Sequence, residues 1–308
     1  MSSRRGQVHG VLSFAIGLIN DEGRLALQHH LSTVMQAHPT FRIEVDVFEN
    51  VLMVRGDDEL ELMEVRENIV PQYEASIGEL TISYKESIRR PAEAEGKYIR
   101  QTGGSGNYGH AKVRLEPNEP GKGVEFINEI KGGVVLKGYI RSIEQGIRKA
   151  ALGGILAGYE VDDFKAILYD GSYHEVDSNE MAFEIAGSLA FKEAARRANP
   201  VLLEPVMAVE VAVPEEYMGT IIGDINSRRG RIEGIERTGG IHVIRATIPL
   251  AEMLRSSEHG RPSYPMHFAG YEPTPPPFGQ FGDDEGARVR KPSGPKSGAG
   301  SAAAGLDD

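Results

Sequence analysis

Alternating and helically spaced apolar positions succeed each other along this chain in an order that reads as three folded units. Val11 to Leu18 is a short apolar run. Asn20 or Asp21 can cap a helix that lines up Leu27, Leu31, Val34 and Met35 on one face. Phe41, Ile43, Val45 and Val47 alternate, as do Leu52 and Val54 beyond a turn at Asn50, which predicts a hairpin. Leu62, Val65 and Ile69 return to helical spacing before Pro71, and Leu80, Ile82, Tyr84 and Glu86 alternate as a last strand. Strand, helix, strand, strand, helix, strand is the split βαβ order of a ferredoxin-like unit.

A polar hinge, Pro91 to Glu95, leads to strands expected over 97–101, 110–116 and 124–130. A helix over 139–157 follows, with Ile140, Ile143, Ile147, Ala151 and Ile155 inward. A strand over 164–169 runs into a loop carrying His174, then a helix over 180–198 expected to bury Met181, Ile185 and Leu189. Asp177 and Glu180 have the spacing of a capping box, which would turn the ring of His174 outward. Asn199-Pro200 suits a left-handed cap and stop. The third unit repeats the βαββαβ order: a strand over 206–213, a helix over 214–226, strands over 231–237 and 242–248, a short helix over 250–254, and a strand near 264–268. From Pro273 the chain turns to Pro, Gly, Ser and Ala with little to bury, the composition of a disordered tail. The expected boundaries are 8–90, 91–205, 206–272 and 273–308, in an α+β chain.

Composition narrows the chemistry. The 308 residues include no cysteine, which excludes thiolate zinc, disulfides and cysteine nucleophiles together. No apolar run reaches membrane-spanning length, and Met1 to Arg5 lacks the apolar core of a signal peptide, so a cytoplasmic monomer with no membrane contact is expected. The net charge of −11 repels phosphates at long range. Contact with RNA would therefore be local, through a few arginines, exposed amides and loop tips.

Gly104-Ser105-Gly106-Asn107-Tyr108-Gly109 matches G-x-G-x-x-G, but the sequel His110 to Leu115 alternates as a strand where a dinucleotide site needs a helix. A glycine-rich hairpin tip remains, able to approach another surface closely. No G-x-x-x-x-G-K-[ST] occurs in the 308 residues. His29 and His30 point about 100° apart on a helix and cannot share a metal, and nothing acidic completes a site for His30 with His38; no metal and no cofactor is expected. Ser172, His174 and Asp177 could be drawn as a hydrolase triad, but one loop holds all three and no G-x-S-x-G elbow is present. Arg228, Arg229 and Arg231 cluster in a turn of the third unit, either a solvated charged edge or a contact to RNA phosphates.

Several ordered runs together resemble bacterial translation elongation factor G. They are Gly103 to His110, Gly132-Gly133-Val134-Val135, Tyr169 to Phe183, Phe191-Lys192-Glu193-Ala194-Ala195, Asn199 to Pro205, Pro214 to Gly219 and Asn226 to Gly234. The resemblance runs from about Val8 to Tyr271 and covers that family's domains III, IV and V. It implies two ferredoxin-like domains flanking a domain IV with the fold of ribosomal protein S5. Domain IV would be an arm reaching the decoding region of the ribosome during translocation, and domain V would face ribosomal RNA of the large subunit. The implied tip comprises Gly104, Ser105, Gly106, Asn107 and Tyr108 with Ser172, Tyr173 and His174. In the family a glutamine and a histidine at this tip contact the messenger–tRNA duplex. His174 matches the histidine, Asn107 stands one methylene shorter than the glutamine, and Ser105 replaces a usual arginine. The family's GTPase domain and following barrel find no counterpart in these residues, and the segment 254–261 is shorter than the family's last helix. The reading that follows is a ribosome-binding, non-enzymatic relative without a GTPase of its own. The alternatives are an accessory subunit of a separate translational GTPase in translocation or recycling, and a repurposed scaffold.

Overall fold

A computed structural model describes residues 10–18, 21–37, 41–46, 51–73, 75–102, 105–255 and 266–275. Val47, Asn20, His38, Gly103, Gly104 and the tail from 276 onward lie outside the described residues. The chain divides into two compact units between Ile82 and Ser83. Among the described residues no helix is long and apolar enough to cross a membrane.

In the first unit, β1 (Leu12–Leu18), α1 (Asp21–Ala37), β2 (Phe41–Asp46), β3 (Val51–Gly56), α2 (Glu59–Glu64), β4 (Ala75–Ile77) and β5 (Thr81–Ile82) follow in order. The antiparallel sheet has the order β2-β3-β1-β4, with β5 also on β1, which is the ferredoxin-like arrangement. Leu27 and Leu31 of α1 are fully buried, as the spacing predicts. The last strand differs from expectation. It is two short pieces on either side of Gly78, whose amide bonds Ala15 O. Tyr84 and Glu86 belong to the second unit.

That unit opens with β6 (Lys85–Ile88), then β7 (Ala92–Thr102), β8 (Ser105–Pro117), β9 (Glu125–Asn128), α3 (Lys137–Leu152), β10 (Phe164–Ser172) and α4 (Glu180–Arg197). The sheet order is β7-β8-β10-β9, with β9 parallel to β10 and the other pairs antiparallel. Because β9 and β10 run the same way, the connections into α3 and α4 leave from one end of the sheet. The β7–β8 hairpin turns at that end too, since Ser172 pairs with His110 near the start of β8. Beyond Asn199, which is left-handed (φ 55°), β11 (Pro200–Pro214) begins at once, earlier than the expected 206. With α5 (Glu215–Ser227), β12 (Arg231–Thr238), β13 (Ile241–Pro249), α6 (Leu250–Arg255) and β14 (Met266–Pro273) it builds a second ferredoxin-like sheet, ordered β12-β13-β11-β14.

Two corrections concern α3 and α4. α4 turns Ala182, Phe183, Ala186, Ala190, Phe191, Ala194 and Ala195 inward, whereas Met181 and Leu189 are exposed. The reason is proximity. A Cβ at Gly146 would strike the backbone of Glu184, one at Gly187 that of Ile143, and one at Gly96 or Gly109 the backbone of α4. Where backbones approach this closely, only small residues fit, and the large aliphatics are displaced to the surface. α3 stops at Leu152 instead of 157, because Gly154 is left-handed (φ 69°) and the next residues turn around a carboxylate.

That carboxylate is Glu86, which is 0% exposed. It accepts from the amides of Ile155, Leu156, Ala157, Gly158 and Tyr159 at 2.6 to 3.1 Å. Its own backbone lies in β6, paired with Leu202 of β11. One residue on a strand beside the second ferredoxin-like sheet thus holds the segment after α3 twice, by its side chain and by its main chain, whose amide donates to Glu160 O and whose carbonyl accepts from Asp162 N, both at 2.8 Å. Burial, followed by the nearby Tyr84 and Glu86, pushes the Tyr159 hydroxyl up to about 12.

Candidate nucleic-acid interface

Of the tip residues expected from sequence, the described ones, 105–108 and 172–174, come together at the free end of the β7–β8 hairpin, whereas Arg228, Arg229 and Arg231 lie elsewhere, where α5 turns into β12. Ser105 is paired with Thr102 in the last rung of the ladder, and Asn107 with Arg100. The loop after β10 folds back on this hairpin through Asp177. Its Oδ1 accepts from the Gly106 amide at 2.9 Å and its main-chain carbonyl from the Tyr108 amide at 2.8 Å. A Cβ at position 106 would stand 2.7 Å from the Asp177 side chain, so this approach requires glycine. The expected capping box is replaced by a different division of labour. Asn179 caps α4, accepting from Ala182 N at 2.9 Å, which leaves Asp177 free to clamp the hairpin.

Asn107 is tied to that cap: its Oδ1 accepts from Asn179 Nδ2 at 2.7 Å. The ring of His174 is 56% exposed on the side chain, as its loop position predicts, and its Nδ1 lies 3.2 Å from Asp177 Oδ2 and 3.3 Å from the Asp177 amide. The loop is closed by His174 N bonding Ser178 Oγ at 2.9 Å. Tyr139 of α3 reaches across to donate to Ser178 O at 3.1 Å. Tyr173, Glu175 and Val176 are exposed.

Under the tip a chain of polar groups crosses from β8 to β10. Tyr108 Oη is 2.7 Å from Ser172 Oγ, which is 2.8 Å from His110 Nδ1. His110 Nε2 is buried 3.4 Å from Glu95 Oε2, outside hydrogen-bond geometry. Ser172 is thus paired with His110 and Tyr108, and His174 with Asp177; the triad drawn from Ser172, His174 and Asp177 is not assembled. On the same sheet face Lys112 and Asp170 form a 2.9 Å pair, and the Lys112 bond, followed by the Gly171 amide, holds the Asp170 carboxyl below the usual aspartate range.

Family models match residues 80–199 as elongation factor G, domain IV, and residues 201–279 as elongation factor G C-terminus. The chain belongs to the elongation factor G family. A crystal structure of a protein from Thermus thermophilus is similar to 89% of the chain, with 37% sequence identity and a TM-score of 0.67. The chain spans 42% of the length of that relative.

In this elongation factor G-like chain the arginines of the C-terminal domain are engaged internally. Arg229, in the left-handed region at φ 57°, makes a bidentate pair with buried Glu204 at 2.8 and 3.0 Å and a third bond to Glu252 at 2.8 Å. The Glu204 bond, ahead of Glu252, drives its pKa above the ordinary arginine range. Arg228 pairs with Asp224 at 2.9 Å and is largely covered; Arg231 is exposed but lies 3.1 Å from Glu272 and 3.4 Å from Glu233. The structural roles of Asp177 beyond a cap, and of Asn179 and Tyr139, have no signature in spacing. Each acts through a neighbour 39 to 72 residues away. His30, set beside His29 as a metal candidate, instead bonds Tyr73 Oη at 2.9 Å.

Proposed function

We propose that this chain is a ribosome-binding arm of the elongation factor G type, whose tip enters the decoding region and meets the messenger–tRNA duplex. Support comes from the family membership together with one geometric observation: Asp177 draws the hairpin and the His174 loop into a single polar end. Duplex RNA is recognised mostly through its shape and through individually placed polar groups on its 2′-hydroxyls and phosphates. At this tip His174 offers an exposed imidazole, and Asn107 a side-chain amide positioned by Asn179. Serine at 105 and asparagine at 107 give the tip shorter reach than the arginine and glutamine usual in the family, so its contacts differ in detail. The 308 residues contain no phosphate loop. We assign GTP hydrolysis to a translational GTPase module outside them, with which this arm cooperates in translocation or recycling.

The test is cosedimentation with ribosomes at low salt, with and without GTP and elongation factor G. The wild-type chain pellets with ribosomes, and Asn107→Ala with His174→Ala weakens binding about tenfold or more. Competition with elongation factor G would mark a shared site, and enhanced GTP turnover on addition of the chain would mark cooperation. No pelleting at low salt would refute the ribosomal role and leave a repurposed scaffold as the better reading.

A further inference from the structure

A third loop stands at the same end of the sheet as the two loops of the tip. It joins β9 to α3 over residues 129–136, and the parallel pairing of β9 with β10 fixes its place, since Asn128 pairs with Leu168 and Glu129 N bonds Leu168 O at 2.8 Å. Val135, 2% exposed, anchors it: a Cβ on Gly171 of β10 would lie 2.7 Å from Val135 Cγ2. Tyr139 then locks the first turn of α3 to the His174 loop, stacking on Phe183 at 4.5 Å while its hydroxyl bonds Ser178 O. Gly132 and Gly133 are left-handed (φ 70° and 72°) with open space around them.

Most cations of this unit away from the tip are held by carboxylates; Arg89, Arg90 and Lys192, which pair with none among the described residues, are the exceptions. Lys85, Lys112, Arg114, Lys122, Arg148, Lys149, Lys165, Arg196 and Arg197 each sit within ion-pair distance of a carboxylate. Lys131, Lys137 and Arg141 are exposed and pair with no carboxylate among the described residues, although the chain as a whole has 45 acidic residues to 34 basic ones. Lys97 and Arg100, on the β7 side of the tip, are likewise exposed, Lys97 lying 6.0 Å from the Tyr108 ring. Glu175 and Glu180 are the exposed acids on the neighbouring loop and helix start. Cations without carboxylate partners in an acidic chain are available to an external polyanion, and a partner gained that way releases counterions.

We infer that Lys131, Lys137 and Arg141 form a third, electrostatic element of the tip that grips RNA backbone phosphates. This rests on the RNA-facing reading of the tip proposed above. The division is the usual one, in which phosphate contacts position a protein and contacts to bases or individual groups specify. On this view the β9–α3 loop sets how strongly the arm holds RNA, and Asn107 and His174 decide what it holds.

The experiment measures ribosome affinity by cosedimentation for the full chain, between about 50 and 200 mM salt. Replacing Lys131, Lys137 and Arg141 together by alanine lowers the slope of log K against log salt by about 2 to 3. Lys131→Arg with Lys137→Arg retains the wild-type slope, and His174→Ala weakens binding without altering it. An unchanged slope in the triple variant, with wild-type binding intact, overturns this inference alone; absence of wild-type binding overturns it together with the ribosomal reading. A photo-cross-linking side chain at position 137 should label RNA, and labelling of a ribosomal protein instead would overturn it.

Discussion

The two ends of the β7-β8-β10-β9 sheet with its helices α3 and α4 treat polar groups in opposite ways. At the base, Glu86 is wholly buried and five amides saturate its oxygens, while Lys85 beside it is paired with Asp162. At the tip, the polar atoms of Asn107, Ser172, His174 and Asp177 are half-covered or exposed, and each is held by one or two bonds. A buried charge is tolerated only when fully hydrogen-bonded, and removing its partner is then costly; a half-exposed network is cheap to make and cheap to disturb. Polar groups are locked in place at the base and left adaptable at the tip, the division that the proposed RNA-facing role of the tip requires.

The sharpest way to break this contrast is at Glu86. Glu86→Ala leaves five part-buried amides without their acceptor and is expected to cost about 3 kcal/mol, a large share of the ~5–15 kcal/mol typical of a domain. Denaturant unfolding measures it, and a loss below about 1 kcal/mol would mean that the loop after α3 is held without the carboxylate. A smaller effect is expected at Asp177. Asp177→Ala should cost about 1 kcal/mol and speed amide exchange at Gly106, with the base of the β7–β8 ladder unaffected. Asp177→Asn keeps an acceptor for that amide and should restore its protection, whereas equal exchange in both variants would deny the clamp.

The smallest effect concerns pH. Asp170 is depressed in the folded state, chiefly by Lys112, so its contribution is full above the ordinary aspartate pKa of about 3.9 and fades as pH falls through the folded value. Both partners are substantially exposed, so solvent screens the pair and the acid-side loss should be slight. Lys112→Met should flatten that part of the stability–pH curve. An unaltered curve would show that the pair does not titrate with folding.

Much of this architecture could be read from periodicity. The alternation in β3 and β8, the strand over 242–248, the buried Leu27 and Leu31 of α1, Ile143, Ile147 and Ala151 of α3, and the rejection of a dinucleotide site at 104–109 follow from local pattern, and the structure agrees with each, whereas Val45 of β2 is exposed and Ile155 lies past the end of α3. What escaped was set by contacts distant in sequence. Met181 and Leu189 have the spacing of a buried stripe, yet glycines on α3, β7 and β8 bring the neighbouring backbones so close that alanines take the interior. Glu86 alternates correctly with Ile82 and Tyr84, but its five amides lie about 70 residues on and reassign it to another unit. Arg229 looks like a free basic residue in a turn until buried Glu204 is placed beneath it. At the tip, the composition of both loops was legible, whereas the bonds from Asp177 and Asn179 that join them were not.

The glycine contacts between α3, α4 and the β7–β8 hairpin carry one more consequence. Main chain rests against main chain there, with no long side chains between to change rotamer and absorb a displacement. Such a junction has little give and little configurational freedom left to lose. Under the proposed function such a probe would arrive already shaped, and the free energy of contact would go into holding on instead of into stiffening it.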